Sequence, residues 1–351
     1  MEVNMISVIL AGGRGIRLWP ESRRQFPKQL CKFFDDKTML DHTIDRLLQA
    51  GSRQIVIITS DDLTSYIKKI VADRPDNNII EILSEPEGKN TAPAVGLVLA
   101  KYAEQIPDDV IGIFPADHYV IDNDAFSAAV SQAAEAARKG YLATIGITPD
   151  RPETGFGYIE KTKWEIGELN NVFPVHSFYE KPDLKIAETY LNSGQHMWNA
   201  GIYIGQISTL LEEFAAYLPD VRQQISCGYD AYLQGYSKLP NISLDYGIAE
   251  KSQRMAVVPS DFGWSDLGSW NALAKLHKAD INENVVIGDV ILKDSQQCIV
   301  KQTNKTIVLY GVENLLVVET DKTIFISDRN KAQEIKDVVE LLTKEQRYDL
   351  L

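Results

Sequence analysis

Residues 5–30 read MISVILAGGRGIRLWPESRRQFPKQL, an apolar run followed by glycines and a cluster of positive charge. The apolar run has the length of one β-strand, and the glycines would let backbone N–H groups approach an anion without interference from Cβ atoms. The basic residues of the stretch are Arg14, Arg17, Arg23, Arg24 and Lys28, and its one acidic residue is Glu21. An isolated GGRG is often a plain tight turn, but this density of cations favours a loop that binds a small anionic ligand.

Outward from this stretch, residues 1–150 alternate between short apolar runs and amphipathic segments. The predicted strands are 5–10, 54–59, 79–84, 110–114 and 141–147, and the predicted helices are 38–51, 62–71, 91–106 and 124–140. Such alternation predicts βαβ units, and uninterrupted apolar strands are typical of a parallel sheet covered on both faces. We therefore predict an α/β fold with a Rossmann-like, mostly parallel sheet flanked by helices. The glycine loop would then lie at the carboxyl edge of the sheet, where such folds bind ligands.

Residues 150–278 lose this regular alternation. Runs such as TGFGYIE, VHSFYEKPD and MWNAGIYIG are rich in glycine and aromatic residues, and helical stretches follow at 207–217 and 219–236. We expect this part to form a lid or second half over the sheet.

Residues 283–327 hold five short β-rich runs with turn residues and no long helix between them, and 331–342 has the pattern of an amphipathic helix. The first run contains VIGDVI, which resembles one turn of a left-handed β-helix. The predicted domains are therefore a main α/β domain over 1–278 and a small β-rich, left-handed β-helix-like appendage over 279–351 that ends in a helix.

The composition excludes several classes of protein. The chain has 351 residues with 36 basic and 49 acidic side chains, a formal net charge of −13, which argues against general nucleic-acid binding. No apolar run approaches the roughly 18 residues of a membrane span, and the N-terminal run lacks the features of a signal peptide. The three cysteines are far apart and form neither a disulfide framework nor a metal knuckle. We expect a cytoplasmic protein that binds neither nucleic acid nor membranes.

Two common nucleotide-binding motifs are absent from the glycine loop. Gly12, Gly13 and Gly15 are not followed by the Gly-Lys pair of a P-loop. The dinucleotide fingerprint GxGxxG also fails, because its third glycine would fall at Leu18, and this failure weakens a nicotinamide-dependent dehydrogenase as an alternative. The sequence also offers no GxSxG elbow and no convincing Ser-His-Asp set as a nucleophile.

A series of ordered motifs gives the chain a resemblance to a known family. LAGGRGIRLWPESRRQFPKQL resembles the signature of sugar-1-phosphate nucleotidyltransferases, and its RLWPxSR…PKQ wording is similar to that of mannose-1-phosphate guanylyltransferases. The resemblance continues in order through EPEGKNTAPA, FPADH, GFGYIE, FYEKP, MWNAG, DYGIAEK and GWSDLGSW. It implies that residues 1–278 are a nucleotidyltransferase catalytic domain. It also implies the transfer of GMP from GTP to mannose 1-phosphate, with Mg²⁺ as cofactor and with GDP-mannose and pyrophosphate as products.

The resemblance also implies roles for individual residues. The catalytic set is Arg14, Lys28, Asp117 and Asp266; the Mg²⁺ ligands are Asp117 and Asp266; the nucleotide-binding set is Ala11, Gly12, Gly13, Gly15, Glu85, Asn90 and Thr91; and the sugar-phosphate-binding set is Gly157, Glu180, Lys181 and Asn199. Without the resemblance, the two aspartates could equally be helix caps or turn residues. Lys89 stands where the family more often has Arg, which leaves its role open because the two are not interchangeable.

The chemistry expected from these residues is direct displacement at phosphorus. The phosphate oxygen of the sugar is already anionic, so no general base is required, and the difficulty is the repulsion between two polyanions. Positioning and neutralisation by cations and backbone amides would then supply the catalysis. Two alternatives stay open: a guanylyltransferase for another sugar 1-phosphate such as glucose or heptose, and a non-catalytic relative that senses nucleotide. The β-rich appendage and the final helix are candidate surfaces for a homodimer.

Overall fold

The computed structural model describes residues 3–351, and this range contains seventeen strands and ten α-helices. The strands are β1 (Met5–Leu10), β2 (Ser52–Ser60), β3 (Ile80–Glu85), β4 (Val110–Pro115), β5 (Tyr119–Val120), β6 (Leu142–Ile147), β7 (Gly157–Lys161), β8 (Phe173–Glu180), β9 (His196–Gln206), β10 (Met255–Ser260), β11 (Trp264–Ser265), β12 (Val285–Ile287), β13 (Val290–Lys293), β14 (Ile299–Lys301), β15 (Ile307–Tyr310), β16 (Leu315–Glu319) and β17 (Ile324–Asp328). The α-helices are α1 (Met39–Gln49), α2 (Asp61–Ala72), α3 (Thr91–Tyr102), α4 (Asn123–Arg138), α5 (Leu184–Ser193), α6 (Ile207–Tyr217), α7 (Pro219–Ile225), α8 (Tyr229–Gly235), α9 (Trp270–Ala274) and α10 (Ile335–Lys344).

The chain forms two compact units. The first comprises the residues up to Gly12, Thr43–Ala116 and Val120–Trp264, and the second comprises Gly13–His42, Asp117–Tyr119 and Ser265–Leu351. The second unit thus adds two earlier segments to the C-terminal part of the chain. The domain boundary expected between residues 278 and 279 stays a prediction.

The first unit is built on a nine-stranded sheet, counted over residues 3–351, in the order β3-β2-β1-β4-β9-β6-β10-β8-β7. Strands β3, β2, β1 and β4 are mutually parallel, and β10 is parallel to β6. Strand β9 is antiparallel to β4, β6 and β7, and β8 is antiparallel to β10 and β7. Seven strands therefore run in one direction and two in the other, and the prediction of a mostly parallel sheet is confirmed.

Helix α3 shows why this sheet is stable. Its sequence TAPAVGLVLAKY is apolar on nearly every side, and nine of its twelve residues are buried. A helix of this kind belongs in a core, where each fully buried Leu or Val contributes about 1.5–3 kcal/mol. Its side chains join one cluster with strand residues such as Val8 and Ile113 and with Phe214 and Tyr232 from α6 and α8. This packing fixes the N-terminus of α3, which carries two of the predicted nucleotide-binding residues.

The expectation for residues 150–278 was partly wrong. Strands β7, β8, β9 and β10 extend the sheet itself instead of covering it as a lid. The helix expected over 219–236 is two helices, α7 and α8, interrupted around Gly228. Strand β10 was not predicted at all, although its sequence MAVVPS carries a continuous apolar run.

The second unit contains the β-rich C-terminal part. Strands β12, β14 and β16 stack in parallel, β13 pairs in parallel with β15, and β17 closes the larger sheet antiparallel to β16. Two parallel stacks are typical of a β-helix, so the β-helix-like appendage is confirmed. The first of the five predicted runs is in fact two strands, β12 and β13, separated by Gly288 and Asp289. Helices α9 and α10 share one apolar cluster with these strands. No helix within residues 3–351 is long and apolar enough to cross a membrane.

Candidate active site

Lys28 is the centre of the charged cluster in the second unit. It begins a short 3-10 turn after Pro27, and only 7% of the residue is exposed. Its Nζ lies 2.6 Å from Oδ2 of Asp117 and donates to the main-chain carbonyl of Asp266 at 2.5 Å. Three of the four residues predicted to be catalytic are therefore in direct contact, although they come from distant parts of the sequence.

The Asp117 carboxylate is kept ionised by these contacts. Burial by itself would raise the pKa of Asp117, but the charge of Lys28, the proximity of His118 and the hydrogen bond from Lys28 lower this pKa below its usual value. A carboxylate whose pKa is lowered stays negative at neutral pH. The cluster therefore presents an ammonium group and a carboxylate together.

Asp266 lies just after β11, with its carboxylate held against the following backbone. Its Oδ1 accepts a hydrogen bond from the Gly268 N–H at 3.2 Å. With Asp117 it supplies the hard carboxylate oxygens that Mg²⁺ prefers. No group of three His, Cys, Asp or Glu side chains in residues 3–351 could hold a metal ion. Two carboxylates with the remaining ligands from phosphate and water fit Mg²⁺, which usually binds proteins in that way.

The part of the glycine loop that belongs to the second unit, Gly13–Gly15, lies beside Lys28. Gln29 donates from Nε2 to the carbonyl of Gly13 at 2.9 Å, and Gly15 precedes the short turn Ile16–Leu18. Arg14 is exposed, and its Nη1 donates to the carbonyl of Arg24 at 3.0 Å. The fourth predicted catalytic residue therefore lies in the same unit as the other three, and its hydrogen bond to Arg24 joins the glycine loop to the segment that leads to Lys28.

The first unit contains a buried acid that belongs to the predicted nucleotide-binding set. Glu85 ends β3, and its Oε2 accepts a hydrogen bond from the Tyr236 hydroxyl at 2.7 Å. Burial raises the pKa of Glu85, and the hydrogen bond from Tyr236 offsets only part of that increase. A Cβ atom at Gly12 would lie 2.5 Å from Oε1 of Glu85, so any other residue at position 12 would force the Glu85 carboxylate to move. Ala11 is buried, and its N–H donates to the carbonyl of Ile58 at 2.7 Å.

Asn90 and Thr91 form the start of α3. The Asn90 side chain accepts from the Thr91 N–H at 3.0 Å, and the Thr91 hydroxyl accepts from the Leu244 N–H at 2.7 Å. Lys89 donates to the carbonyl of Ser237 at 2.7 Å. Asn90 therefore caps the helix, whereas Thr91 and Lys89 connect its start to neighbouring segments of the first unit. The contact with Ser237 gives Lys89 a structural role that its sequence context left open.

The predicted sugar-phosphate residues meet at the end of β8. Lys181 Nζ lies 2.6 Å from Oε1 of the buried Glu180, and a Cβ atom at Gly157 would lie 2.6 Å from Oε2 of Glu180. Lys181 has a φ of 52°, a left-handed conformation that is uncommon for residues other than glycine. Such conformations persist where the surrounding structure requires them, and they cluster at functional sites.

Negative charge exceeds positive charge around this pair. Burial and the charge of Asp245 raise the pKa of Glu180, although Lys181 acts in the opposite direction. Burial lowers the pKa of Lys181, but contact with Glu180 and the charge of Asp245 raise it overall. Glu250 adds a further carboxylate, and its Oε1 accepts from the Glu180 N–H at 2.8 Å. The Lys181 ammonium therefore belongs to a cluster that also contains the carboxylates of Glu180, Asp245 and Glu250. Such a cluster is rich in acceptors for hydroxyl groups.

Asn199 is also in the first unit, but its amide is fully engaged. Its Oδ1 accepts from the Thr144 hydroxyl at 2.8 Å and from the Gly201 N–H at 3.2 Å. Its Nδ2 donates to the Tyr203 hydroxyl at 2.9 Å and to Oδ1 of Asp245 at 3.1 Å. Both amide hydrogens of Asn199 therefore already have partners in this structure. The expected donation from Asn199 to a sugar hydroxyl stays a prediction.

Asp245 and Tyr203 were missed by the sequence reasoning. Both lie in quoted motifs, MWNAGIYIG and DYGIAEK, so a signal for them was present. Tyr203 lies within an apolar run, and no pattern in DYGIAEK distinguishes Asp245 from Tyr246 or Glu250.

Two family models match the chain. The family model described as Nucleotidyl transferase matches residues 6–283, which is more than half of the chain. The chain belongs to the nucleotidyl transferase family. A second model, described as MannoseP isomerase/GMP-like beta-helix domain, matches residues 288–342 of this nucleotidyltransferase.

Relatives of this nucleotidyltransferase match nearly its whole length. A mannose-1-phosphate guanylyltransferase of Escherichia coli K12 is 37% identical over 99% of this chain and 75% of its own length. A Vibrio cholerae protein provisionally given the same name is 39% identical over 98% of this chain and 76% of its own length. The crystal structure of a Thermus thermophilus protein, described as a mannose-1-phosphate geranyltransferase, superposes with a TM-score of 0.87 at 31% identity, covering 98% of this chain and 100% of that one. The predicted family, fold and enzyme class are thereby confirmed, and the chain is a sugar-phosphate nucleotidyltransferase.

Proposed function

We propose that this nucleotidyltransferase transfers GMP from GTP to mannose 1-phosphate, giving GDP-mannose and pyrophosphate. The observation that carries the proposal is the contact of the buried Lys28 ammonium with the Asp117 carboxylate and with the main-chain carbonyl of Asp266, which joins three of the motifs quoted above. The names of the relatives that match nearly the whole chain support the choice of both substrates.

Catalysis in this proposal is positioning and charge neutralisation. The attacking phosphate oxygen of the sugar needs no deprotonation, so the barrier comes from bringing two polyanions into line. Arg14 and the amides of Gly12, Gly13 and Gly15 hold the leaving pyrophosphate. Lys28 stabilises the charge that develops at the α-phosphate, and such preorganised charges are usually the largest single contribution to catalysis.

Asp117 and Asp266 would hold the divalent cation. A bound Mg²⁺ would supply additional positive charge to the phosphate oxygens of GTP. Asp117 is ionised and already binds one cation, the Lys28 ammonium, which shows the kind of partner this carboxylate accepts.

Glu85 would read the guanine base. Guanine presents N1–H and an exocyclic amino group side by side, and an ionised carboxylate is the natural acceptor for both. The Tyr236 hydroxyl donates a hydrogen bond to Oε2 of Glu85 at 2.7 Å, and this contact fixes the orientation of the carboxylate. Ala11, Asn90 and Thr91 complete the proposed nucleotide-binding set.

Glu180 and Lys181 would bind the sugar 1-phosphate. Glu180 is buried and accepts sugar hydroxyl hydrogens, whereas the exposed ammonium of Lys181 meets the phosphate. Gly157 leaves room for Glu180, because any side chain there would collide with Oε2. Asn199 belongs to this set through its contacts with Asp245 and Tyr203.

Pyrophosphate release tests the substrate assignment. The purified chain is assayed with GTP, ATP, UTP or dTTP against 1-phosphates of mannose, glucose, glucosamine and a heptose, with Mg²⁺ present. We expect the highest kcat/KM for GTP with mannose 1-phosphate. A clear preference for another nucleotide or another sugar would reject the proposed substrates, and no turnover with any pair would reject the enzymatic function.

A further inference from the structure

Within residues 3–351, the Asp245 side chain accepts two hydrogen bonds at one carboxylate oxygen, Oδ1, and none at the other, Oδ2. Oδ1 accepts from the Tyr203 hydroxyl at 2.5 Å and from Nδ2 of Asn199 at 3.1 Å. No hydrogen bond within residues 3–351 uses Oδ2. Asp245 is half-buried, so this second oxygen lacks a protein partner at a position that is only partly open to water. An ionised carboxylate oxygen at such a position can accept a hydrogen bond from a donor on a ligand.

The two donors to Asp245 are themselves rigidly held. Tyr203 is buried, and burial together with the charge of Asp245 raises its pKa far above the ordinary value, so its hydroxyl keeps the proton that it donates. The Thr144 hydroxyl and the Gly201 N–H fix the Asn199 amide from its oxygen side. The carboxylate of Asp245 therefore has one preferred orientation, in which Oδ1 faces the protein.

The local backbone supports the same conclusion. Asp245 is the first residue of a π-helical turn, Asp245–Ala249. Such turns are rare and occur frequently at functional sites, because they move a side chain out of the regular helical pattern. The turn that begins at Asp245 contacts both sugar-phosphate residues, because Nζ of Lys181 lies 5.8 Å from the ring centroid of Tyr246 and Glu250 accepts from the Glu180 N–H at 2.8 Å. In agreement with this contact, the charge of Asp245 raises the pKa of both Glu180 and Lys181. Asp245 therefore belongs to the same acceptor-rich cluster as the two proposed sugar-phosphate ligands.

We infer that Asp245 is a specificity-determining residue of the transferase, whose Oδ2 accepts a hydrogen bond from one hydroxyl of the sugar 1-phosphate. The inference rests on the proposed function and extends it. Asn199 and Tyr203 are positioning residues that orient Asp245, and Asn199 need not touch the sugar. A site built to accept a hydroxyl hydrogen discriminates strongly against an analogue that lacks it, because the acceptor is then left without a partner.

The first test is Asp245→Asn. The asparagine oxygen can still accept from Tyr203 and Asn199, but its amide nitrogen replaces the free Oδ2 and donates instead of accepting. We expect kcat/KM for the sugar 1-phosphate to fall about tenfold to a hundredfold, the usual value of a hydrogen bond to a charged group, with KM for the nucleotide unchanged. Asp230→Asn, the same change at an exposed residue in α8, is the control and should leave both constants unchanged.

The second test combines this variant with sugar 1-phosphates that each lack one hydroxyl. For one position, the wild-type enzyme should lose about as much with the deoxy sugar as Asp245→Asn loses with the full sugar. The variant should lose nothing further with that deoxy sugar, because residue and hydroxyl form one interaction. If the two losses add at every position, or if KM for both substrates changes together, Asp245 has only a structural role.

Two further outcomes keep the test decisive. If Asp245→Asn does not fold, Tyr203→Phe removes one of the two donors while keeping the ring, and it should weaken sugar binding with the same dependence on the deoxy position. If the wild-type enzyme prefers another sugar 1-phosphate, the proposed substrate is wrong, and the same cycle with deoxy forms of that sugar still decides the role of Asp245.

Discussion

At the scale of single residues, the proposed phosphate chemistry depends on one buried ammonium group, that of Lys28. Lys28 has two oxygen partners, the carboxylate of Asp117 and the carbonyl of Asp266, and almost no contact with water. A lysine at such a position does not gain much stability from its ion pair, because desolvation offsets most of the attraction. Its presence beside the glycine loop is better explained by a need for positive charge at the phosphates.

Replacing Lys28 tests that explanation. We expect Lys28→Ala to lower kcat/KM by about 10²–10³, the usual effect of removing one charge that stabilises a transition state. The fold should persist, because Asp117 is partly exposed and water can hydrate its carboxylate. Steady-state pyrophosphate release gives the rate and circular dichroism the fold.

Lys32→Ala is the matched control, since Lys32 is an exposed lysine four positions further along the same segment. It should retain the wild-type rate. An unchanged rate in Lys28→Ala, or an equal loss in Lys32→Ala, would remove Lys28 from the mechanism.

The sequence was informative about residue types but not about their contacts. The motifs singled out Lys28, Asp117 and Asp266, and the structure joins them, because each follows a strand or turn whose position the fold fixes. The sequence could not show that Lys28 pairs with Asp117, since that contact depends on how distant segments pack. It also gave no reason to prefer Asp245 over Tyr246, because only the hydrogen bonds from Tyr203 and Asn199 distinguish them.

At the scale of elements, the sequence correctly predicted those elements that have a strong local pattern. It did not predict how strand β9 pairs or that strand β10 exists. Helix α3, with its polar start and apolar body, was expected almost as it is found. Strand β9 breaks the βαβ alternation by running antiparallel between β4 and β6, a pairing that no local pattern encodes. Strand β10 was overlooked because it follows a long irregular stretch, although its four apolar residues were a usable signal.

Helix α4 offers a prediction at this scale. Its N-cap, Asp122, accepts from the N–H groups of Asp124 and Ala125 at 3.0 and 2.9 Å. Asp122→Ala leaves both donors without this partner, and we expect it to cost about 1 kcal/mol of unfolding free energy. Urea denaturation measures the cost, and Asp108→Ala, at an exposed loop aspartate, is the control. Equal stabilities of the two variants would show that the cap contributes nothing.

At the scale of the whole molecule, the chain combines a nucleotidyl transferase family domain with a β-helix domain. The two compact units do not follow this linear order, because Gly13–His42 and Asp117–Tyr119 belong with the C-terminal residues. The catalytic residues expected from the motifs are all in the second unit, whereas the residues expected to bind base and sugar are mainly in the first. The homodimer suggested by the appendage stays a prediction.

The central claim is that the phosphate of the sugar attacks the α-phosphorus of the nucleotide directly, without a covalent enzyme intermediate. The stereochemical course at the α-phosphorus tests it most directly. The enzyme is supplied with mannose 1-phosphate and one diastereomer of GTP that carries sulfur on the α-phosphorus, and ³¹P NMR assigns the configuration of the nucleotide sugar formed. A single in-line displacement predicts inversion of configuration. Retention would require two successive displacements through an enzyme-bound nucleotidyl group and would contradict the account.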